Sequence, residues 1–146
     1  MDRCELEALV RSLVVQALAQ GNPSFEKTVD PSGILSVRAA TVHPEPFDTG
    51  KPGDDVKLTD IVTLEESPRL GCGIMEMNKT TFEWTLKYDE VDYIIDGTLE
   101  ILIDGRKVVG HRGDVIFIPA NSSISFSAPE HSRFLFVTYP ADWASQ

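Results

Sequence analysis

From Glu5 to Gln20 the apolar residues Leu6, Leu9, Val10, Leu13, Val14, Ala17 and Leu18 recur at i, i+3, i+4 and i+7. That spacing lines them along one face of an α-helix. Glu5 and Glu7 sit near its start, where they favour the positive end of the helix dipole, and Gly21-Asn22-Pro23 supplies a stop. The spacing therefore predicts an amphipathic helix within residues 1–20. Residues 21–33 hold few large apolar side chains and carry Pro23, Pro31 and Ser32, the composition of a linker. The apolar stripe of such a helix has two outlets: packing on the domain, or docking in a groove of another protein.

Beyond residue 33 the 3.6-residue period disappears and short β-rich runs between turn residues take over. Strands are predicted at 34–38, 56–64, 70–77, 81–86, 91–95, 98–103, 107–109, 115–118, 123–127 and 133–139, with Asp96-Gly97 and Asp104-Gly105 as hairpin-type turns. So many short runs without a second helix point to a mainly β fold, an antiparallel sandwich or jelly-roll barrel spanning 34–146. The stretch from His43 to Gly53 holds Pro44, Pro46 and Pro52, so it cannot be a central strand and is expected to cover a rim.

The chain of 146 residues has a formal net charge of −10 and a pI near 4.6. That field repels phosphate backbones and anionic headgroups, which argues against a nucleic-acid or membrane-surface partner. No run reaches the roughly 18 apolar residues of a membrane span, and the start lacks the basic flank and cleavage site of a secretory signal. Two cysteines, Cys4 and Cys72, are too few for a disulfide scaffold or zinc knuckle, and a cytoplasmic location is expected.

Glu90 and Gly97, seven residues apart, resemble the end of the first motif of the cupin family. Gly113-Asp114-Val115-Ile116-Phe117-Ile118-Pro119-Ala120-Asn121 resembles its second motif. The resemblance implies a double-stranded β-helix, in agreement with the strand count. Cupins usually hold a metal through a His-x-His pair, a Glu and a further His; in this chain those positions read Glu83, Thr85, Glu90 and Ile124. His43, His111 and His131 all fall elsewhere, so no tightly bound transition metal is expected.

Acidic residues take the place of the histidines. Residues 83–104 contain seven carboxylates and one lysine, Lys87. Most have a simple reading as solvated strand or turn groups. By alternation Glu83 and Thr85 share one face of a strand, and Glu90 and Asp92 one face of the next. The motif register turns both faces inward, among Ile94, Ile116, Ile118 and Ile124, and turns Trp84 and Phe117 outward. Glu83 and Glu90, two carboxylates in such a cavity, favour sharing a proton or a hard cation.

The run Glu83-Trp-Thr-Leu-Lys-Tyr-Asp-Glu90, continuing through Asp92-Tyr-Ile-Ile-Asp-Gly97-Thr-Leu-Glu100, and the closing Phe134-Leu-Phe-Val-Thr-Tyr-Pro140 resemble one cupin subfamily, the ethanolamine-utilisation EutQ proteins. This resemblance implies a place in a bacterial microcompartment, with residues 5–20 meeting shell or cargo proteins. It also implies an acetate kinase that forms acetyl phosphate from acetate and ATP. Glu83, Glu90 and Asp92 are then the candidate catalytic residues and Thr85 a binding residue, with Glu83 and Glu90 as weak Mg²⁺ ligands. The chain has no Gly-rich phosphate-binding loop leading into a helix, so ATP needs another cradle; Arg69, Lys79, Lys87 and Arg106 are the nearby cations. The other reading is a non-catalytic cupin that binds a small metabolite or serves as an adaptor. A homodimer is implied as well, with Phe82, Trp84 and Leu86 as its outward apolar surface. Cys72 between two glycines reads as a packing residue and His111 as a turn histidine.

Overall fold

The computed structural model describes residues 2–8 and 24–146. Residues 3–8 are helical. Asp2 opens this turn with a reciprocal cap: its carboxylate accepts from the Glu5 backbone N–H at 2.8 Å, while the Glu5 carboxylate accepts from the Asp2 N–H at 3.0 Å. Most of the predicted helix, Leu9 to Gln20, lies outside the described residues.

Two compact units divide the chain after Val42. In the first, strand β1 (Lys27–Val29) pairs antiparallel with β2 (Leu35–Val37), Thr28 opposite Ser36. Part of the expected linker is therefore one arm of a hairpin, turned at Asp30–Gly33, where Gly33 takes a φ of +94°. Alternation in three residues was too short a signal to show β1, while β2 falls within the strand predicted at 34–38 but pairs with β1 and is not a strand of the barrel sheet.

The second unit is a β-barrel of the jelly-roll type. Its strands are β3 (Glu45–Pro46), β4 (Val56–Asp60), β5 (Gly71–Leu86), β6 (Asp89–Ile103), β7 (Arg106–His111), β8 (Val115–Ile118) and β9 (Ser122–Tyr139). They run in the order β3-β4-β5-β9-β6-β7, with β8 also on β6. All pairings are antiparallel. The long strands β5, β6 and β9 each absorb two of the predicted short ones, because the turn signals between those runs are bulges rather than reversals. Lys79 takes a φ of 44° where the β5–β9 register shifts, and Gly97 a φ of 75° where β6–β9 shifts. Asp96-Gly97 is thus a bend within β6 and not a hairpin. A Cβ on Gly97 would collide with the His131 carbonyl, so only glycine fits. Asp104-Gly105 does turn the β6–β7 hairpin, with φ of 49° and 75°.

Met75, Met77, Phe82, Leu86, Ile94, Leu99, Ile101, Ile116, Ile118, Ile124, Phe126, Phe134 and Phe136 fill the barrel. Phe82 stacks on Phe126 and Phe126 on Phe134. Phe47, from the proline-rich rim segment, packs against this core, as a rim cover should.

Candidate functional site

The bulge at Lys79 decides which side chains enter the barrel. Before it, Gly71, Gly73, Met75 and Met77 point inward; after it, the inward set is Thr80, Phe82, Trp84 and Leu86. One extra residue flips every later side chain to the other face. Glu83 and Thr85 are consequently exposed on the outside, Thr85 with its hydroxyl 3.1 Å from that of Ser123. Phe82, Trp84 and Leu86, expected on the outer surface, belong to the interior. Glu83 and Glu90 lie on opposite faces of the wall and do not converge on one ion.

Glu90 and Asp92 do enter the barrel, 5% and 0% exposed. They occupy successive inward positions of β6. Glu90 has Ile118 on one side and Thr138 on the other; Asp92 lies between Ile116 and Phe136. Two glycines on β5 make room for the β9 neighbours of this row. A Cβ on Gly73 would strike the Phe136 ring, and one on Gly71 would strike the Thr138 hydroxyl. Ile94, Ile116, Ile118 and Ile124 are buried as expected, and Phe117 faces out.

Glu90 Oε2, both Asp92 oxygens, Ser132 Oγ and Thr138 Oγ1 are buried without a hydrogen-bond partner. An unpaired buried carboxyl is costly when charged. Burial accordingly pushes Glu90 up to about 7. Burial, and then the neighbouring Glu90, hold Asp92 well above the usual carboxylate range. Tyr88, 4% exposed, is raised by burial and by the charges of Glu90 and Asp92, while its oxygen accepts from Trp84 Nε1 at 2.8 Å. Strongly shifted acids in a cleft are a physical mark of a functional site.

A small cavity reaches Glu90. It has a volume of about 20 Å³ and is lined by Phe47, Leu58, Met75, Phe82, Trp84, Tyr88, Glu90, Phe126, Phe136 and Trp143. Sequence reasoning found the two acids and missed most of the rings. Trp143 comes from a three-residue 3₁₀ turn near the C-terminus, outside any periodic segment, and Phe47 from a loop. Their only signal was that of large aromatics in otherwise polar stretches.

Outside the wall, a groove of about 590 Å³ is bordered by Glu83, Thr85, Asp104, Arg106, Lys107, Ser123 and Ser125, and Trp84 lines both this groove and the cavity. Among the described residues, no three His, Cys, Asp or Glu side chains gather as a metal site. No described helix is long and apolar enough to cross a membrane.

Comparison with known proteins adds kinship to this geometry. The profile of the ethanolamine utilisation protein EutQ matches residues 1–145. The acetate kinase EutQ of Clostridioides difficile is 52% identical over 151 aligned residues, covering 100% of this chain and 96% of the relative. Its Salmonella typhimurium namesake is 35% identical, covering 95% of this chain and 64% of its own length. The solved structure of the Clostridium difficile EutQ protein superposes with a TM-score of 0.82 at 59% identity, over 84% of this chain and 92% of that one. A cupin superfamily protein of Desulfitobacterium hafniense, 16% identical, shares the fold with a TM-score of 0.55, over 70% of this chain and 86% of its own. The chain belongs to the ethanolamine utilisation protein EutQ family and has the cupin fold.

Proposed function

We propose that the chain works in ethanolamine utilisation as an acetate kinase, converting acetate and ATP to acetyl phosphate and ADP. Its support is the pair Glu90 and Asp92, buried, raised in pKa and without a partner besides each other, in a family whose members are named for that reaction. A carboxyl held protonated can donate a hydrogen bond to the acetate oxygen that does not attack phosphorus; acetate itself is ionised and needs no general base. Phosphoryl transfer also needs positive charge on the transferring group. The outer groove supplies Arg106 and Lys107 beside the hydroxyls of Thr85, Ser123 and Ser125, and its volume suits a nucleotide. Mg²⁺ would arrive with ATP; it keeps most of its waters and accepts a single carboxylate, the role left to the exposed Glu83, and would neutralise phosphate charge there.

The test is acetate-dependent ADP release with Mg-ATP. The parent protein is expected to be active, and Glu90→Gln and Asp92→Asn variants, shown to be folded, to lose about a hundredfold or more. Unchanged activity in both variants would overturn the assignment, and an inactive parent would overturn the kinase reading itself.

A second reading, a non-catalytic barrel that binds a metabolite, is favoured by one observation: no Lys, Arg or His lines the cavity. In either reading we place the protein in the cytoplasm, within a bacterial microcompartment, with residues 5–20 as its contact to shell or cargo proteins. We also place a second copy on its outer face. The apolar side chains exposed there are Val91 and Tyr93 on β6 and Val115 and Phe117 on β8, not Phe82, Trp84 and Leu86.

A further inference from the structure

The lining of the barrel cavity is chemically one-sided. Its walls are rings: Phe47, Trp84 and Trp143 stand with centroids 6.0 to 6.2 Å apart, and Tyr88 and Phe136 close on Trp143 at 6.4 and 6.1 Å. The one charged group on that lining is Glu90, whose Oε2 has no partner. The next inward position on the same strand is Asp92, whose carboxyl has no partner besides that of Glu90. The indole N–H groups are spent elsewhere: Trp84 donates to Tyr88, and Trp143 to Asp60 at 3.4 Å.

We propose that this cavity binds a small organic ammonium ion, its charged head against Glu90 and beside the indoles of Trp84 and Trp143.

Three properties select that ligand. Size comes first: about 20 Å³ holds roughly one water-sized group. An –NH₃⁺ head fits that space, whereas a phosphate does not. Hydrogen bonding points the same way: once Glu90 is ionised its free oxygen is an acceptor, and an ammonium carries three donors and no acceptor. Aromatic rings in the lining add attraction for a cation, greatest at tryptophan and absent for a neutral isostere. A bare metal ion is poorly served, because Ca²⁺ and Mg²⁺ want about six or more oxygens and these walls are mostly carbon. The proposal rests on the barrel being the functional pocket, and not on the reaction assigned to it.

The chain's two tryptophans, Trp84 and Trp143, both line the cavity, so its fluorescence reports directly on occupancy. Ethylammonium chloride, titrated into the full chain at constant ionic strength, is expected to give a saturable fluorescence change. It should also raise Tm by about 5 °C or more at a hundredfold excess over Kd. Ethanol and sodium chloride at matched concentrations should give neither. Glu90→Gln should weaken binding about tenfold or more. Should that variant fail to fold, Phe47→Leu, which removes a ring from a rim loop and leaves the carboxyls intact, should weaken binding several-fold. No saturable response in the parent, an equal response to ethanol, or unchanged affinity in a folded Glu90→Gln variant would overturn the proposal. ADP release measured on the same samples separates the two readings. Ammonium binding without kinase activity supports the cation site and sinks the kinase, and activity without ammonium binding does the reverse.

Discussion

At the scale of single residues, the energetic oddity is a pair of acids placed where acids are expensive. Glu90 and Asp92 sit on a strand whose other inward neighbours are isoleucines and phenylalanines, and three of their four carboxyl oxygens lack a partner. The folded barrel therefore holds their protons to higher pH than the unfolded chain does. Between the ordinary carboxylate range, near pH 4, and neutrality the native state binds more protons than the unfolded state, so stability falls as pH rises through that window. Urea unfolding at pH 5 and pH 8 should show the decline. Asp92→Asn should flatten it and be the more stable protein at pH 8, by on the order of 1–3 kcal/mol. Parallel pH profiles in parent and variant would refute this origin for the decline. Tyr88 offers a smaller test in the same place. Tyr88→Phe leaves Trp84 Nε1 without its acceptor and should cost about 1–2 kcal/mol in the urea midpoint at pH 5.

At the scale of elements, the bulges carry the information that the amino-acid pattern hides. Alternation correctly put Glu90, Asp92 and Ile94 on one inward face, because β6 runs regularly through those residues. It also put Glu83 and Thr85 on one face, as they are, but the motif register turned that face inward; it faces out because the phase flips at Lys79, at φ 44°, and no side-chain pattern in Asn78-Lys79-Thr80 announces a left-handed lysine. The mainly β class, the Asp104-Gly105 hairpin and the Gly113-Asp114 turn were legible, since each rests on local turn chemistry. The cage of rings was not, because Phe47 and Trp143 reach the cavity from segments without any period. The two kinds of glycine on β6 and its hairpin make the point measurable. Gly97 and Gly105 share a φ of 75°, but a Cβ meets the His131 carbonyl at Gly97 and nothing within 4 Å at Gly105. Gly105→Ala should cost about 1 kcal/mol, the conformational penalty alone. Gly97→Ala should cost about 3 kcal/mol or more, because the β6–β9 junction must open to admit the methyl group. Equal losses in denaturant midpoint would mean that the bend tolerates displacement.

At the scale of the whole molecule, the outer surface sets an apolar patch against a strong negative charge. Val91 lies opposite Phe117 and Tyr93 opposite Val115 across β6 and β8, and Val137 and Leu135 continue the same two rows on β9. Val115 and Phe117 are 63% and 62% exposed, and Tyr139 stands at the end of β9 at 57%. A contiguous apolar face of this kind marks a contact surface, and two copies related by a two-fold axis would each cover the other's rows. The net charge of −10 on each copy opposes that pairing at long range and is screened within a Debye length of about 10 Å at 0.1 M salt. Apolar burial is not weakened by salt. The two terms fix a sign: self-association should tighten as sodium chloride rises from about 0.01 to 0.5 M, where an interface held by ion pairs would loosen. Sedimentation equilibrium on the full chain measures this directly. Phe117→Asp, exposed and outside the barrel core, should shift the protein to monomer at micromolar concentration while leaving the urea midpoint within about 0.5 kcal/mol of the parent once dissociation is allowed for. A Phe117→Asp protein that still sediments as a dimer would move the interface off the β6–β8 face, and loosening with salt would point to charge rather than hydrophobic burial as the force between the copies.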